Sequence, residues 1–459
     1  MKRALFIGCI GVVLAAAAAC ASSEREPSLS DEPDTGTPLA DAAPTDGGGE
    51  TDADDAPPEL PECSSAGWCP TDLPRTDLVL RDIAVFPGRA FAVAESATVG
   101  VKVLEWNDDT ATWSFIDDNS QNESGRGRFV GRLWAASSNE VFYGVAPRTI
   151  YHGKRDPQST SPSTAWTWTF QQLEDHVPAY TPNATYPEHY RGLPRYRGMP
   201  IHGNWTGIDL PSLGVFGTST DDVYAWYGNT IYRLSQEDGG DPTWAVEYVA
   251  DDRDRPDELL VFFAATATAA GDIWFAGGRG GAPGDTRLCP VLVRKSSSSS
   301  SYERVADGQG AALRFPLPPK RCEARPGVPY IDAAEGWLTD IQAGPDDTII
   351  GLNAAYELVR VAETGGGTYS FALAKVPRGL TKAPVLSFWR VPGDETVWIG
   401  GTNVIVRGHD LWADTATYEI SPISRERVWL DFPVRQVRGT SNNHYWAVGA
   451  RHALRKITP

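Results

Sequence analysis

The most chemically pointed stretch of the sequence is Glu174–Ile208, EDHVPAYTPNATYPEHYRGLPRYRGMPIHGNWTGI, which crowds aromatic and basic side chains into an acidic protein. Tyr180, Tyr186, Tyr190, Tyr196 and Trp205 stand among His176, His189, His202, Arg191, Arg195 and Arg197. Rings interleaved with Arg and His suit stacking on a sugar or holding an anionic polymer, because each ring buries a large area at small entropic cost. Tyr180, Tyr186, His189, Tyr190, Arg191, Tyr196, Arg197, His202 and Trp205 are therefore the candidate ligand contacts. The plainer alternative is a proline-rich loop that packs its rings onto its own domain. His189 and His202 have no carboxylate or histidine at a metal-ligand spacing, so no metal is expected.

Hydrolysis or elimination on a polysaccharide needs two converging carboxyl groups. Glu174, Asp175, Glu188, Asp285 and Glu335 are the candidates, and no motif accompanies any of them. A G-x-S-x-G elbow, a phosphate-binding glycine loop and an S-x-D-x-G-x-T-W sialidase box are all missing from the sequence. The expectation is a binding scaffold without catalytic residues or cofactor, whose partner is a polysaccharide, a peptide or an envelope protein. A polysaccharide hydrolase or lyase is the alternative.

Six cysteines bear on the compartment. The chain opens MKRALFIGCIGVVLAAAAAC: two basic residues, an apolar run too short to span a membrane, then small residues up to Cys20. This is a signal peptide over residues 1–19, and AAAC resembles a bacterial lipobox. The resemblance implies cleavage before Cys20, diacylglycerol on its thiol and, with Ala21 next, sorting to the outer membrane. Of the rest, Cys63 and Cys69 bracket a short loop and are expected to pair, which leaves Cys289 with Cys322 in an oxidising compartment. The spacing fits none of the paired short-loop patterns of zinc sites.

Residues 20–62 carry thirteen acidic residues and one Arg, with no aromatic residue and no apolar period. Such a segment cannot bury enough surface to offset its ordering entropy, and it is expected to be a disordered tether. Much of the net charge of −18 comes from it, and that charge argues against nucleic acid as a partner. The membrane is expected to be touched through the lipid alone, and the protein to be a monomer.

The elements that would position these groups come from a repeat. VFGTSTDDVYAWYGNTIYR, at Val215–Arg233, reads as strand, turn, strand, turn, strand. Aligning copies on the second strand gives Ala90, Val141, Val223, Ile273, Ile349, Val397 and Tyr445, a period of about fifty residues with two longer intervals. Trp113, Trp166, Trp244, Tyr302 and Tyr369 mark a fourth strand in several copies. Four short strands per unit predict an all-β, seven-bladed propeller of four-stranded blades over residues 63–459. The last copy lacks its fourth strand, so the ring is expected to be closed by an N-terminal strand, TDLVLRD at Thr76–Asp82.

In such a ring the loops between strands two and three share a face with the loops between blades. Inserts near 174–208, 279–289 and 305–335 all fall on that face, which marks it as the binding face and brings Cys289 near Cys322. Arg233, Arg294, Arg360, Arg407 and Arg455, with His152, recur at the ends of third strands, and Glu140, Asp222, Asp272 and Asp347 before second strands. A feature repeated in most blades is expected to be structural: the acids capping their own turns, the arginines pairing with the neighbouring blade.

The repeat, as VFGTSTDDVYAWYGNTIYR and RGTSNNHYWAVGARHALRK, resembles the WGSxxDVWAVGxxGTILH-type repeat of myxobacterial and related secreted propeller lipoproteins, over Ala66 to Pro459. The Gly pairs of IWFAGG and VWIGG give a weaker likeness to kelch repeats. The resemblance implies architecture and location rather than an activity.

Overall fold

All seven alignment positions lie in the second strand of an antiparallel sheet in the computed structural model. It describes residues 63–459 apart from 124–128, 160–164, 175–200, 203–208, 211, 237–238, 251–258, 281–287, 300, 310–329, 336, 354–356, 378, 381–384, 392, 403, 424–432, 442–443 and 458–459. The innermost strands of blades one to seven are Val79–Phe86, Val130–Ser137, Leu213–Ser219, Leu259–Ala267, Leu338–Ala343, Val385–Arg390 and Val434–Ser441. The chain is a seven-bladed propeller. Among the described residues no helix is long and apolar enough to cross a membrane.

Alternation along each strand sends side chains to both faces of its blade, and each face meets the next blade. Seven apolar clusters result, one at every junction between consecutive blades. The cluster joining blade seven to blade one holds Leu80, Ala92, Trp106, Trp113, Trp446 and Val448. Ring closure thus leaves no blade face uncovered, the reason for closing such units at all.

The closing strand differs from the expectation. Blade seven is completed by Trp68–Thr71, which runs antiparallel to His452–Lys456 with Trp68 opposite Lys456. The expected segment, Thr76–Asp82, instead leads into the inner strand of blade one. Its alternating Leu78, Leu80 and Asp82 are all buried, as an inner strand requires. Blade four also has a fifth strand, Tyr330–Glu335, which joins Tyr302–Gln309 in parallel.

Cys63 and Cys69 form a disulfide that ties the preceding turn to Cys69 within the closing strand. Closing so short a loop stabilises by about 2 kcal/mol in the chain-entropy model. Replacing both cysteines by serine should lower the thermal midpoint accordingly; an unchanged midpoint would mean that the loop holds its shape without the bond.

His452, on the third strand of blade seven, gives the fold an acid limit. Its Nδ1 is 2.8 Å from the Ala450 carbonyl, and burial depresses the imidazole to about 4. The folded state favours the neutral ring, so its contribution is complete above the unfolded value of 6.5 and is lost as pH falls towards about 4. Unfolding at about pH 5 should show a deficit on the order of 2 kcal/mol relative to about pH 8 that His452→Gln removes. A variant with the same acid loss as wild type would place the titration elsewhere.

Candidate functional site

The cavity at the centre of the ring is built from the inner strands. It encloses about 250 Å3 and is lined by Asp82, Arg132, Trp134, Phe216, Trp226, Thr266, Asp340, Gln342, Trp389 and Arg438, among others. All but Trp226, which is on the second strand of blade three, come from the inner strands, mostly from the middle and the end that turns tightly into strand two. Nearer the N-terminal ends of the inner strands, Leu213 and Leu338 are buried in the junctions of blades two and three and of blades four and five. The cavity therefore lies towards the tight strand-one-to-strand-two turns, the side opposite the connections between blades.

Its floor is a charged cross-brace. Arg132 of blade two reaches across the ring, donating from Nε to the Phe263 carbonyl at 3.3 Å and from Nη2 to the Thr339 carbonyl at 3.1 Å. Its Nη1 lies 3.8 Å from Asp82. Arg438 of blade seven grips Asp340 of blade five with Nη2 at 2.9 and 3.0 Å from the two carboxylate oxygens. Burial pushes the Asp82 carboxyl above the ordinary carboxylate value, against the pull of Arg132 and Arg438.

Both carboxylates also join one blade to the next. Asp82 accepts from the Ile83 amide in its own strand and from the Leu133 amide in blade two, each at 3.0 Å. Asp340 repeats this with Ile341 at 3.0 Å and Phe388 at 3.5 Å, and Ser387 accepts from the Val437 amide at 2.9 Å. An inner strand has an open hydrogen-bonding edge, and these side chains satisfy it from the preceding blade. Asp82 and Asp340 are thus committed to holding blades, with little lone-pair capacity left for a substrate.

The rim above the floor is amphiphilic. Trp134 and Phe216 form one side, Gln342, Arg438 and Trp389 the other, and Trp226 reaches the cavity past Gly214. A Cβ on Gly214 would stand 2.2 Å from the Trp226 ring, so this close approach requires glycine. The Trp226 Nε1 donor has no acceptor.

Most of the expected ligand contacts are not among the described residues. Tyr180, Tyr186, His189, Tyr190, Arg191, Tyr196, Arg197 and Trp205 lie outside the described residues; the His202 backbone pairs in a two-stranded ribbon, Ile201–His202 with Asp209–Leu210. Cys20 and Cys322 also lie outside them, and Cys289 is disulfide-bonded. Of the candidate carboxylates, Asp175, Glu188, Asp285 and the Glu335 side chain lie outside; exposed Glu174 accepts from the Tyr232 hydroxyl through its backbone carbonyl. Among the described residues no three potential metal ligands gather.

The recurrent arginines and turn acids are structural partners, some within a blade and some between blades. Asp222 pairs with Arg233 at 3.0 Å, Asp272 with Arg294 at 2.5 Å and Glu140 with His152 at 2.7 Å. Each of these basic residues sits directly across the ladder from an aromatic residue, Tyr224, Trp274 or Phe142. Two arginines do reach the next blade: Arg294 to Glu363 at 2.8 Å and Arg455 to Asp108 at 2.6 Å. Asp347 caps a neighbouring turn rather than its own, accepting from the Ala270 amide at 2.9 Å.

No family model matches the sequence, and no curated protein matches it. Solved propellers resemble the fold. YCF48 bound to D1 peptide is 11% identical with a TM-score of 0.51, the match covering 87% of this chain and 98% of that one. YCF48 from Cyanidioschyzon merolae is 15% identical, TM-score 0.48, covering 86% and 99%. The WD40 repeats of RRP9 are 10% identical, TM-score 0.49, covering 86% and 99%. At these identities the likeness is one of fold.

Proposed function

We propose that this protein is an exported interaction scaffold, tethered by a lipid on Cys20 to the outer membrane, that receives a peptide segment of an envelope protein at the mouth of its channel. The observation that carries the reading is the open cavity itself: an aromatic wall and a polar wall above carboxylates already committed to backbone amides. An apolar side chain seated on Trp134 and Phe216 would bring a backbone carbonyl within reach of donors on the other side. The YCF48 propeller, similar in fold, was solved with a peptide bound, which supports a partner of this kind.

The test is cross-linked capture from envelope extracts with the full-length protein. Trp134→Ala with Phe216→Ala should reduce the captured partner roughly tenfold, as for centrally placed aromatic anchors. Deletion of residues 176–205 addresses the insert-bearing face. Capture unchanged by the double substitution but abolished by the deletion would move the site to that face; capture unaffected by either would overturn the reading. Cys20→Ser should release the protein from the membrane fraction, and continued co-sedimentation would rule out the lipid anchor.

A further inference from the structure

The propeller contains the same cationic groove twice, and among the described residues only one copy has its counter-ions. Between blades three and four, Arg233 and Lys295 flank the Tyr224 ring, at 5.7 and 4.6 Å from its centroid. Between blades six and seven, Arg407 and Lys456 flank the Trp398 ring at 5.7 and 5.8 Å. The strand registers make the two sets equivalent: Arg233 faces Tyr224 as Arg407 faces Trp398, and Lys295 faces Ile273 as Lys456 faces Tyr445.

In the first groove both cations are neutralised. Asp222 holds Arg233 at 3.0 Å, and Glu247 holds Lys295 at 2.6 Å while accepting from the Tyr302 hydroxyl at 2.8 Å. In the second groove neither acid exists. Thr396 stands where Asp222 would be, two residues before the aromatic. Glu247 is the extra residue of a bulge in the outer pairing of blade three, whereas blade six pairs Ile405, Val406 and Arg407 with Ser421, Ile420 and Glu419 without interruption.

The consequence is an unusual charge. Lys456 is 2% exposed and donates to the Ala66 carbonyl at 2.5 Å, with no carboxylate in salt-bridge range among the described residues. Arg407 has a buried Nε without an acceptor. Exposed Glu419 borders the groove but makes no ion pair with Arg407 among the described residues. Burial, and after it the Arg407 charge, push the Lys456 ammonium below its ordinary value. A buried cation without a counter-ion is costly, and an arriving anion removes that cost. A cavity of about 170 Å3, lined by Arg407, Lys456, Trp398 and Ser421, lies open there. Ile420, 52% exposed, lines it, and Ile457, 49% exposed, follows Lys456 directly, so apolar side chains stand beside the charge.

We infer that the groove between blades six and seven binds a carboxylate from an acidic, apolar-flanked segment of the partner protein, in the place that Glu247 fills between blades three and four. This rests on the scaffold reading and supplies it with a second, charge-selective contact.

The probe is a synthetic octapeptide alternating leucine and glutamate, blocked at both ends, against its glutamine counterpart, titrated into the full-length protein by fluorescence anisotropy. The glutamate peptide should bind and the glutamine peptide should be at least roughly tenfold weaker. Arg407→Gln should cost about tenfold, and Thr396→Asp, which places an acid where Asp222 stands in the first groove, should cost the same in the folded variant, with circular dichroism confirming the fold because buried Thr396 donates to Asp394 at 3.0 Å. Arg233→Gln should leave binding unchanged. Equal binding of both peptides, no binding of either at about millimolar concentration, or binding insensitive to Thr396→Asp would overturn the inference. Envelope capture that survives Arg407→Gln and is lost with Trp134→Ala and Phe216→Ala would sink this groove and leave the scaffold reading standing.

Discussion

Replacing Arg132 by methionine is expected to lower stability by about 3–5 kcal/mol, the usual cost of breaking a buried charge pair from one side. The guanidinium is 7% exposed and links three blades through the Phe263 and Thr339 carbonyls and the Asp82 carboxylate. Methionine fills much of the volume but leaves those carbonyls without a donor and Asp82 with a weaker electrostatic field. Because burial already raises the Asp82 carboxyl, the variant's deficit should grow as pH rises above about 4, where the unfolded chain releases its proton and the folded one resists. Urea midpoints at about pH 5 and about pH 8 read both effects. Adding Asp82→Asn removes the buried charge, so the double variant should lose less than the sum of its parts, by about 1–3 kcal/mol. Strict additivity, or a deficit independent of pH, would show that Arg132 acts through packing alone.

How much of this could be seen in the sequence depends on the distance over which each feature is encoded. The blades were legible because strand alternation and Gly/Asp turns are local, and the seven second strands fall where the period puts them. The closing strand was not. WCPT has four residues, includes a proline and does not alternate, while the nearby TDLVLRD has a clear apolar period and was the natural choice. The parallel strand Tyr330–Glu335 has a similar cause, since nothing in its sequence names its neighbour.

The channel floor is a different kind of omission. Asp82, Arg132, Asp340 and Arg438 come from blades one, two, five and seven, and only the ring brings them together. A signal was nevertheless present. VLRDIAVF, VGRLWAAS, LTDIQA and VRQVRGTS each place a charge inside an inner strand whose neighbours are apolar, and a charge buried in that way must find partners. The arginines divide for a related reason: Arg294 and Arg455 reach carboxylates of the next blade, whereas Arg233 stays within its own. Asp222 and Arg233 are already close in the folded ladder of one hairpin, nearer than any group a neighbouring blade supplies.

Trp68→Ala is expected to cost about 3–5 kcal/mol, as deletion of a large buried aromatic does, and to do so by weakening closure of the ring rather than one blade. Trp68 is fully buried, donates from Nε1 to Ser421 Oγ at 2.9 Å, and meets Trp398 edge-on with centroids 5.8 Å apart. It belongs to the apolar cluster between blades six and seven, yet it arrives from the opposite end of the chain. Losing it leaves a void in that junction and frees the only outer strand of blade seven, exposing the edge of His452–Lys456. Amide hydrogen exchange in that strand should therefore quicken more than in the third strand of blade three, Thr230–Ser235, which keeps its outer partner. Trp244→Ala, on the outer strand of blade three, is the contrast: its ring is half-buried against the junction of blades two and three, and its loss should leave exchange in blade seven unchanged. A Trp68 variant with uniform acceleration across all blades would mean that the ring opens as a unit and that the closing strand is no weaker than any other junction.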